Sequence, residues 1–508
     1  MDPHPGQSVF RGVSSLADAL HSSPSHTDND ARLEVIKAAF RTGWTGYEKY
    51  AWGADELLPV SNGNSNEFGG WGATPIDALS TAIIMNMPDV VEKILAFVPT
   101  IQFDKKSAKS VSLFESTIRF IGGLLSAYDL LQEPASAALV KDKQSVDNLL
   151  TQAVHLANNM SYAFNTPSGV PLGKLFLNTK TIERGLDRNS IAGIGTLVLE
   201  WCRLSDLTGN STYAQLTQKA QSYLLDPQPA SAQPFPGLVG KKVNVTDGKF
   251  LDATGGWGGS ADSFYEYLIK MYIYDKKRFS IYKDRWILAA DSTITHLTSH
   301  PKHHPELTFV ADFDHTRLLL QGSHLACFHG GNFILGGMVL DSKKYIDYGL
   351  ELVASCRHTY ELTATGIGPD GFAWDYPVPT FLQQLHNQTG FYITGPEYAL
   401  RPEVLESYYY AYVATGDPKY REWSWEGISA ILNVTRVGSG YSHITNVNAA
   451  DGGSFANVQE SFFFAEVLKY AYLIHAPSQD AKYQVKKGKK QSYVFNTEAH
   501  PLRVFKEL

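Results

Sequence analysis

An all-α toroid of stacked helical hairpins is the fold this sequence predicts. Three observations lead there. Apolar residues recur at helical spacing along most of the chain, convincing strand runs are few, and the loops between the helical stretches are unequal. Paired helices stacked on neighbouring pairs bury one continuous core, so even 508 residues can form a single domain. A plain solenoid would carry sequence identity between repeats, and this chain carries none.

Residues 1–30 read as a polar N-terminal leader, with "SSLADALHSSPSHTDND" over 14–30, and residues 31–508 as a single domain. Thirteen helices follow, near 31–50, 75–98, 111–131, 146–157, 190–207, 212–224, 262–276, 280–298, 327–340, 342–360, 402–415, 418–433 and 460–475. In the fourth, Val146, Leu149, Leu150, Ala153, Leu156 and Ala157 share one face. The loops at 225–259, 361–401 and 436–459 are long and rich in Gly, Pro, Ser and Asn, the kind a compact domain keeps for function. Each runs into an acid at a helix start: "GGWGGSAD" into Asp262, "YALRPE" into Glu403 and "FANVQE" into Glu460. Glu115 opens a fourth in "SLFESTIR".

A carboxylate at a helix start has a purely structural explanation. It meets the positive end of the helix dipole and unpaired N–H groups, worth about 0.3–1 kcal/mol. Ser112 and Glu115 have capping-box spacing, Asp262 can cap its own helix, and Glu403 follows Pro402 in a first turn. The neighbours argue for more. Arg119 lies four residues after Glu115 and Arg401 two before Glu403, and Phe114, Phe264, Tyr265, Tyr408 and Phe462 flank the acids. Acids, guanidinium groups and flat rings around one cavity suit a carbohydrate, whose faces stack while its hydroxyls hydrogen-bond. Hydrolysis needs one carboxyl to protonate a leaving oxygen and another to activate water.

Other chemistries lack support. Gly366–Gly371 matches G-x-G-x-x-G, but a proline interrupts it and "FAWDYPVP" follows where a helix should start. There is no H-E-x-x-H, no CxxC pair and no G-x-S-x-G, and His324 and His329 lack a third partner for a metal. The net charge of −7 is spread along the chain, which excludes a nucleic-acid footprint. The basic run Lys486, Lys487, Lys489 and Lys490 reads as a solvated loop. No stretch approaches the roughly 18 apolar residues of a membrane span. The first fifteen residues hold no apolar signal-peptide core. Cys327 and Cys356 can pair and leave Cys202 free, or all three can be buried thiols. Sequons at Asn159, Asn210, Asn244, Asn387 and Asn433 lean towards the secretory route.

From about Ala31 to Leu502 the chain resembles the class I α-1,2-mannosidases, glycoside hydrolase family 47, in their fungal form. The likeness rests on "GGWGATPIDAL", "FESTIRFIGGLLSAYDL", "GTLVLEW", "ADSFYEYLIKMY", "HLACF", "GPDGFAWD", "LRPEVLESYYYA", "ESFFFAEVLKYAYL" and "FNTEAHP". It implies an (αα)7 barrel with a C-terminal β-hairpin plugging one end. It also implies an inverting, Ca²⁺-dependent exo-α-1,2-mannosidase that trims high-mannose N-glycans on glycoproteins, from Man9GlcNAc2 towards Man5GlcNAc2. Glu115, Asp262 and Glu403 are then the catalytic carboxylates, Glu115 as acid and Glu403 as base. Arg119, His324, Arg401, Glu406, Phe455, Glu460 and Glu498 contact the sugar and the ion's surroundings, and Thr497 holds the Ca²⁺ through its hydroxyl and carbonyl oxygens. The resemblance pairs Cys327 with Cys356 and implies a monomer in the endoplasmic reticulum or Golgi lumen, or secreted.

Three positions depart from the pattern. The family usually carries glutamate at Gly193 and aspartate at Ser80, and Ser260 is small where narrowly specific relatives carry arginine. The missing acid at Gly193 motivates an alternative, a weakly active, lectin-like member that reads mannose in glycoprotein quality control.

Overall fold

A computed structural model of the chain describes residues 26–104, 110–182, 187–375, 377–476, 483 and 491–505. Some of its helices are buried on every face. In Ala73–Ile84 all twelve residues are buried, Asp77 and Ser80 among them, and in Glu403–Thr415 the run from Glu403 to Ala411 is buried. A helix enclosed on all sides needs protein around it. Others are two-faced. Lys143–Met160 buries Val146, Leu149, Ala153, Leu156, Ala157 and Met160 along one stripe, close to the predicted face.

Together these helices make seven pairs. In chain order the ring helices are α1 (His26–Tyr50), α2 (Ala73–Ile84), α3 (Pro88–Phe97), α4 (Gly122–Leu131), α5 (Lys143–Met160), α6 (Val198–Thr208) and α7 (Thr212–Leu225). They continue as α8 (Asp262–Tyr274), α9 (Ser280–Ser292), α10 (Phe328–Leu340), α11 (Lys343–Glu361), α12 (Glu403–Thr415), α13 (Lys419–Val434) and α14 (Leu468–His475). The even-numbered helices form the inner wall, each packed on the next, and Phe463–Val467, leading into α14, packs on α2 to close the circle. The odd-numbered helices lie outside, each on the inner helix before it, with α1 on α14. This is the (αα)7 barrel.

The predicted helix over 75–98 is two helices. Asn86 turns left-handed at φ 57° and Pro88 starts α3, so thirteen predicted helices become fourteen ring helices. The expectation of few convincing strand runs holds. Among the described residues the loops hold nineteen strands of two to four residues in eight small sheets, too short to show an alternating pattern. Of the leader, residues 1–25 lie outside the described residues, while His26–Asp30 belong to α1. The lysines at 486, 487, 489 and 490 also lie outside them.

One hairpin enters the ring. Tyr493–Phe495 pairs antiparallel with Pro501–Arg503, and the turn between them reaches four inner helices. Asn496 Nδ2 donates to Glu200 of α6 (2.9 Å), and Lys270 of α8 donates to the Asn496 carbonyl (3.2 Å). His500 lies 3.2 Å from Asp77 of α2, and Lys469 of α14 donates to the Ala499 carbonyl. The turn is held from within as well, since Asn496 Oδ1 accepts from the N–H groups of Glu498 and His500 (2.9 and 2.8 Å). Elsewhere a disulfide joins Cys327 to Cys356, and Cys202 is a buried free thiol.

The entry to α2 hangs on one side chain. The buried Asp55 carboxylate accepts five backbone N–H groups, from Phe68, Gly70, Trp71, Gly72 and Ala73, at 2.8–3.2 Å. Asp55→Ala would orphan all five and should cost about 3 kcal/mol or more in urea unfolding. A loss below about 1 kcal/mol would show that water replaces the carboxylate.

Candidate active site

The inner helices α8 and α12 begin with acids, and the acid one turn later on each projects into the same cavity. Asp262 and Glu266 come from α8, and Glu403 and Glu406 from α12. A third pair of segments leaves the α-helical register. Leu113–Glu115 passes into a π-helical stretch, Ser116–Ile121, and Phe463–Val467 is a second one. Such widened turns re-aim side chains and gather at functional sites. Here they bring Glu115, Arg119 and Glu466 into the wall.

The cavity holds about 200 Å³. Its polar wall is Glu115, Arg119, Asp262, Glu266, Arg401, Glu403, Glu406 and Glu466, with Thr497 and Glu498 contributed by the hairpin turn. Phe114, Leu325, Phe328 and Phe462 supply the apolar part.

Arg119 is the hub. Its Nε donates to Glu115 (2.9 Å), and its Nη1 reaches Ser461 (3.1 Å), Asp77 (3.3 Å) and Glu498. The rings of Phe68 and Phe462 lie 4.4 and 5.5 Å from the guanidinium carbon. Arg401 is tied back to Asp370 (3.0 Å). His324 places Nδ1 2.8 Å from Glu403 and Nε2 2.6 Å from the Tyr360 hydroxyl.

The environments push the carboxyl groups apart. Burial raises Asp262 to about 6, against the pull of hydrogen bonds from Ser263. At Glu403 burial also acts upward, but the His324 hydrogen bond and the His324 and Arg401 charges outweigh it and hold the group below the ordinary carboxylate range. Glu406 rises to about 8, through burial and then the charge of Glu266. Burial and the charges of Glu498, Glu403 and Glu406 lift Glu466 well above its usual value. Two acids kept apart in this way can divide the work of a base and a proton-holding partner.

Of the residues singled out in the sequence, the structure brings Glu115, Arg119, Asp262, Arg401, Glu403, Glu406, Thr497 and Glu498 to one cavity, with His324 behind Glu403. Phe455 and Glu460 are outside that wall. Phe455 packs on the main core, and Glu460 sits 2.9 Å from His443. Glu266, Glu466, Leu325, Phe328 and Tyr360 escaped the sequence reading. Glu266 was within reach of it, four residues after Asp262 on a helix, whereas the π-turn hid Glu466.

The departures have local explanations. A Cβ at Gly193 would lie 2.4 Å from Asn189 Oδ1, so the Asn189 side chain fills that space. The buried Ser80 hydroxyl lies between His500 Nδ1 (3.0 Å) and Lys469 Nζ (2.9 Å). Ser260 is exposed and left-handed at φ 74°, two residues before Asp262.

A helical barrel with an acid-walled cavity closed below by a hairpin has the paired carboxyl groups that glycoside hydrolysis requires. The chain belongs to glycosyl hydrolase family 47, whose sequence profile matches residues 39–504. It is 51% identical over 500 residues to the mannosyl-oligosaccharide α-1,2-mannosidase of Penicillium citrinum, covering 98% of this chain and 96% of that protein. The enzyme of that name from Coccidioides posadasii is 52% identical over 492 residues, covering 96% of this chain and 94% of the other. Among solved structures, the α-1,2-mannosidase from Trichoderma reesei superposes with a TM-score of 0.91 at 49% identity, over 94% of this chain and 99% of that one.

Because the folded-state value of Asp262 lies above its ordinary 3.8, the folded chain holds the extra proton between the two values. Its contribution to stability therefore falls as pH rises from about 4 to 6. Asp262→Asn, in calcium-free buffer, should be about 1–3 kcal/mol more stable than the parent at pH 7, with the gain gone at pH 4. Calorimetry at the two pH values reads this directly, and an equal effect at both would contradict it.

Proposed function

We propose that this chain is an inverting, calcium-dependent exo-α-1,2-mannosidase that trims high-mannose N-glycans, from Man9GlcNAc2 towards Man5GlcNAc2. The observation that carries the reading is the convergence of Glu115, Asp262 and Glu403, from three separate inner-wall segments, on one cavity. At about 200 Å³ that cavity falls below the roughly 300–1,000 Å³ of pockets for larger ligands, which favours one terminal sugar ring and hence exo-action. The activity named for the Penicillium and Coccidioides relatives and for the Trichoderma enzyme supplies the bond specificity.

Glu403, ionised and steadied by His324, is the base that takes a proton from the attacking water. Glu115, oriented by Arg119, gives a proton to the leaving oxygen, directly or through a water. Asp262, which holds its own proton up to about pH 6, is the neighbouring reserve on that route. Arg119, Arg401 and the aromatic rings orient the sugar. For inversion the acid and base must leave room for water, about 6.5–9.5 Å between carboxyls.

The cavity floor fits a hard cation. Glu406 and Glu466 are pushed up by burial and by their acidic neighbours, so the floor holds more carboxylate than nearby positive charge balances. Its donors are all oxygen, and the Thr497 hydroxyl and carbonyl accept no protein hydrogen bond among the described residues. Thr497 would hold Ca²⁺ through those two atoms, with Glu406, Glu466 and Glu498 around its waters, and the ion would supply positive charge to sugar hydroxyls. A lumenal or secreted location is favoured by the disulfide, and no helix among the described residues is long and apolar enough to cross a membrane. The lectin-like alternative is disfavoured by three catalytic carboxylates in one wall.

Hydrolysis of an α-1,2-mannobiose followed by proton NMR tests the chemistry. The wild type should release the β-anomer first, and Glu403→Gln should bind the sugar but turn over about 10²–10⁴-fold more slowly. Tight binding without product in the wild type would favour the lectin instead. A digest of Man9GlcNAc2 read by mass spectrometry should stop near Man5GlcNAc2. A chelator should lower both turnover and melting temperature, because an ion that binds only the folded chain stabilises it by mass action. Activity and melting unchanged by the chelator would remove calcium from the account.

A further inference from the structure

Glu403 depends on a ring that has to be held from behind. An ionised carboxylate can only accept, so His324 Nδ1 must carry the proton in their 2.8 Å contact. The far nitrogen, Nε2, lies 2.6 Å from the Tyr360 hydroxyl, its one hydrogen-bond partner among the described residues. Ring and phenol are both fully enclosed, with Tyr360 at 0% exposure and the His324 side chain at 1%. Water therefore has no path to replace the hydroxyl.

We propose that Tyr360 is a positioning residue for the catalytic base: its hydroxyl fixes the His324 ring so that Nδ1–H donates to Glu403. A phenol suits this task because it donates to a neutral imidazole and accepts from a charged one, keeping the ring in place in either state. Phenylalanine would fill the same volume and do neither. The chain path supports the contact independently. His324 stands three residues before Cys327 and Tyr360 four after Cys356, so the disulfide, with a Cα–Cα distance of 6.1 Å, ties together the two segments that carry them. Tyr398 also packs on the ring, 5.5 Å between centroids, but donates its hydroxyl to the Arg401 carbonyl, so it cannot substitute.

The proposal rests on Glu403 being the base, and its test is the pH profile. The charged and titratable groups facing Glu403 are His324, Arg401, Asp262, Glu406, Glu466 and the two tyrosines. Only the His324 donation changes in Tyr360→Phe. That variant should lower kcat about tenfold with KM within about twofold, and move the acid limb of kcat up by about one pH unit, the scale of one charge-assisted hydrogen bond. In a His324→Asn background, where the amide donates from near the Nδ1 position without a partner behind it, Tyr360→Phe should shift the limb no further. An unmoved acid limb in Tyr360→Phe, or the same shift in both backgrounds, overturns the proposal whatever the variant's melting temperature. Infrared titration of the carboxyl band lost in Glu403→Gln reads the same unit shift without turnover. A wild type that releases no mannose would sink the proposed activity while this titration still decides on Tyr360.

Discussion

The buried guanidinium of Arg119 is the contact on which this architecture turns. It is almost fully removed from solvent and surrounded by Glu115, Asp77, Glu498 and Ser461. Those groups belong to four separate stretches: the segment before α4, helix α2, the loop entering α14 and the hairpin turn. Burying a single charge of this kind is prohibitive unless it is paired and fully hydrogen-bonded. Arg119 has no satisfactory position until the ring has closed and the hairpin has entered. The ion cluster is therefore a check on correct assembly more than a source of net stability. Its Nε hydrogen bond also fixes Glu115, so the closing of the barrel and the aiming of the proposed proton donor are one event.

Around that hub the cavity wall sets the acids by what each one touches. Glu403 accepts from His324 and lies near the Arg401 charge, and it stays charged. Asp262 has only the N–H and hydroxyl of Ser263 against its burial, and it keeps a proton further up the pH scale. The two sit at the same position on barrel repeats separated by one, at the start of α8 and at the start of α12, with α10 between them. Helix dipole and sequence position are therefore the same for both. The difference comes from their neighbours: the loop into α10 brings His324 and the loop into α12 brings Arg401 to one acid, while the other has only Ser263 of its own helix.

How much of this the sequence displays depends on the length scale of the signal. The outer helices announce themselves because one face is wet, and α5 matches its predicted stripe almost residue for residue. The acids at helix starts were legible for the same reason, since a long Gly- and Pro-rich loop ending in Asp262 or Glu403 marks a boundary. Three kinds of feature were hidden. The break at Asn86–Pro88 is only three residues long, between the fully buried α2 and the two-faced α3, and the helical spacing of apolar residues runs on across it. The π-stretches at 116–121 and 463–467 insert a residue without changing composition, so the helical count from Glu460 gave no reason to single out Glu466. Glu460 itself points at His443, outside the cavity. Contacts made across the fold, such as Tyr360 on His324, have no sequence period at all.

The backbone adds a further constraint that composition conceals. Among the described residues ten non-glycine residues adopt left-handed conformations, and Ser260, Leu400 and Ala499 stand within two residues of Asp262, Arg401 and Glu498. Leu400 is the telling one, fully buried and at φ 56°. An apolar residue with a Cβ in that region costs on the order of 1 kcal/mol, and glycine would relieve it at once. Glycine would also remove the side chain that packs this loop against the core, so the strain persists where packing outweighs it. The reversal it imposes puts Arg401 and Pro402 immediately before the first turn of α12, with no room for a looser approach. Glu403, the proposed base, is thus aimed twice, by His324 through its carboxylate and by a bent peptide through its backbone.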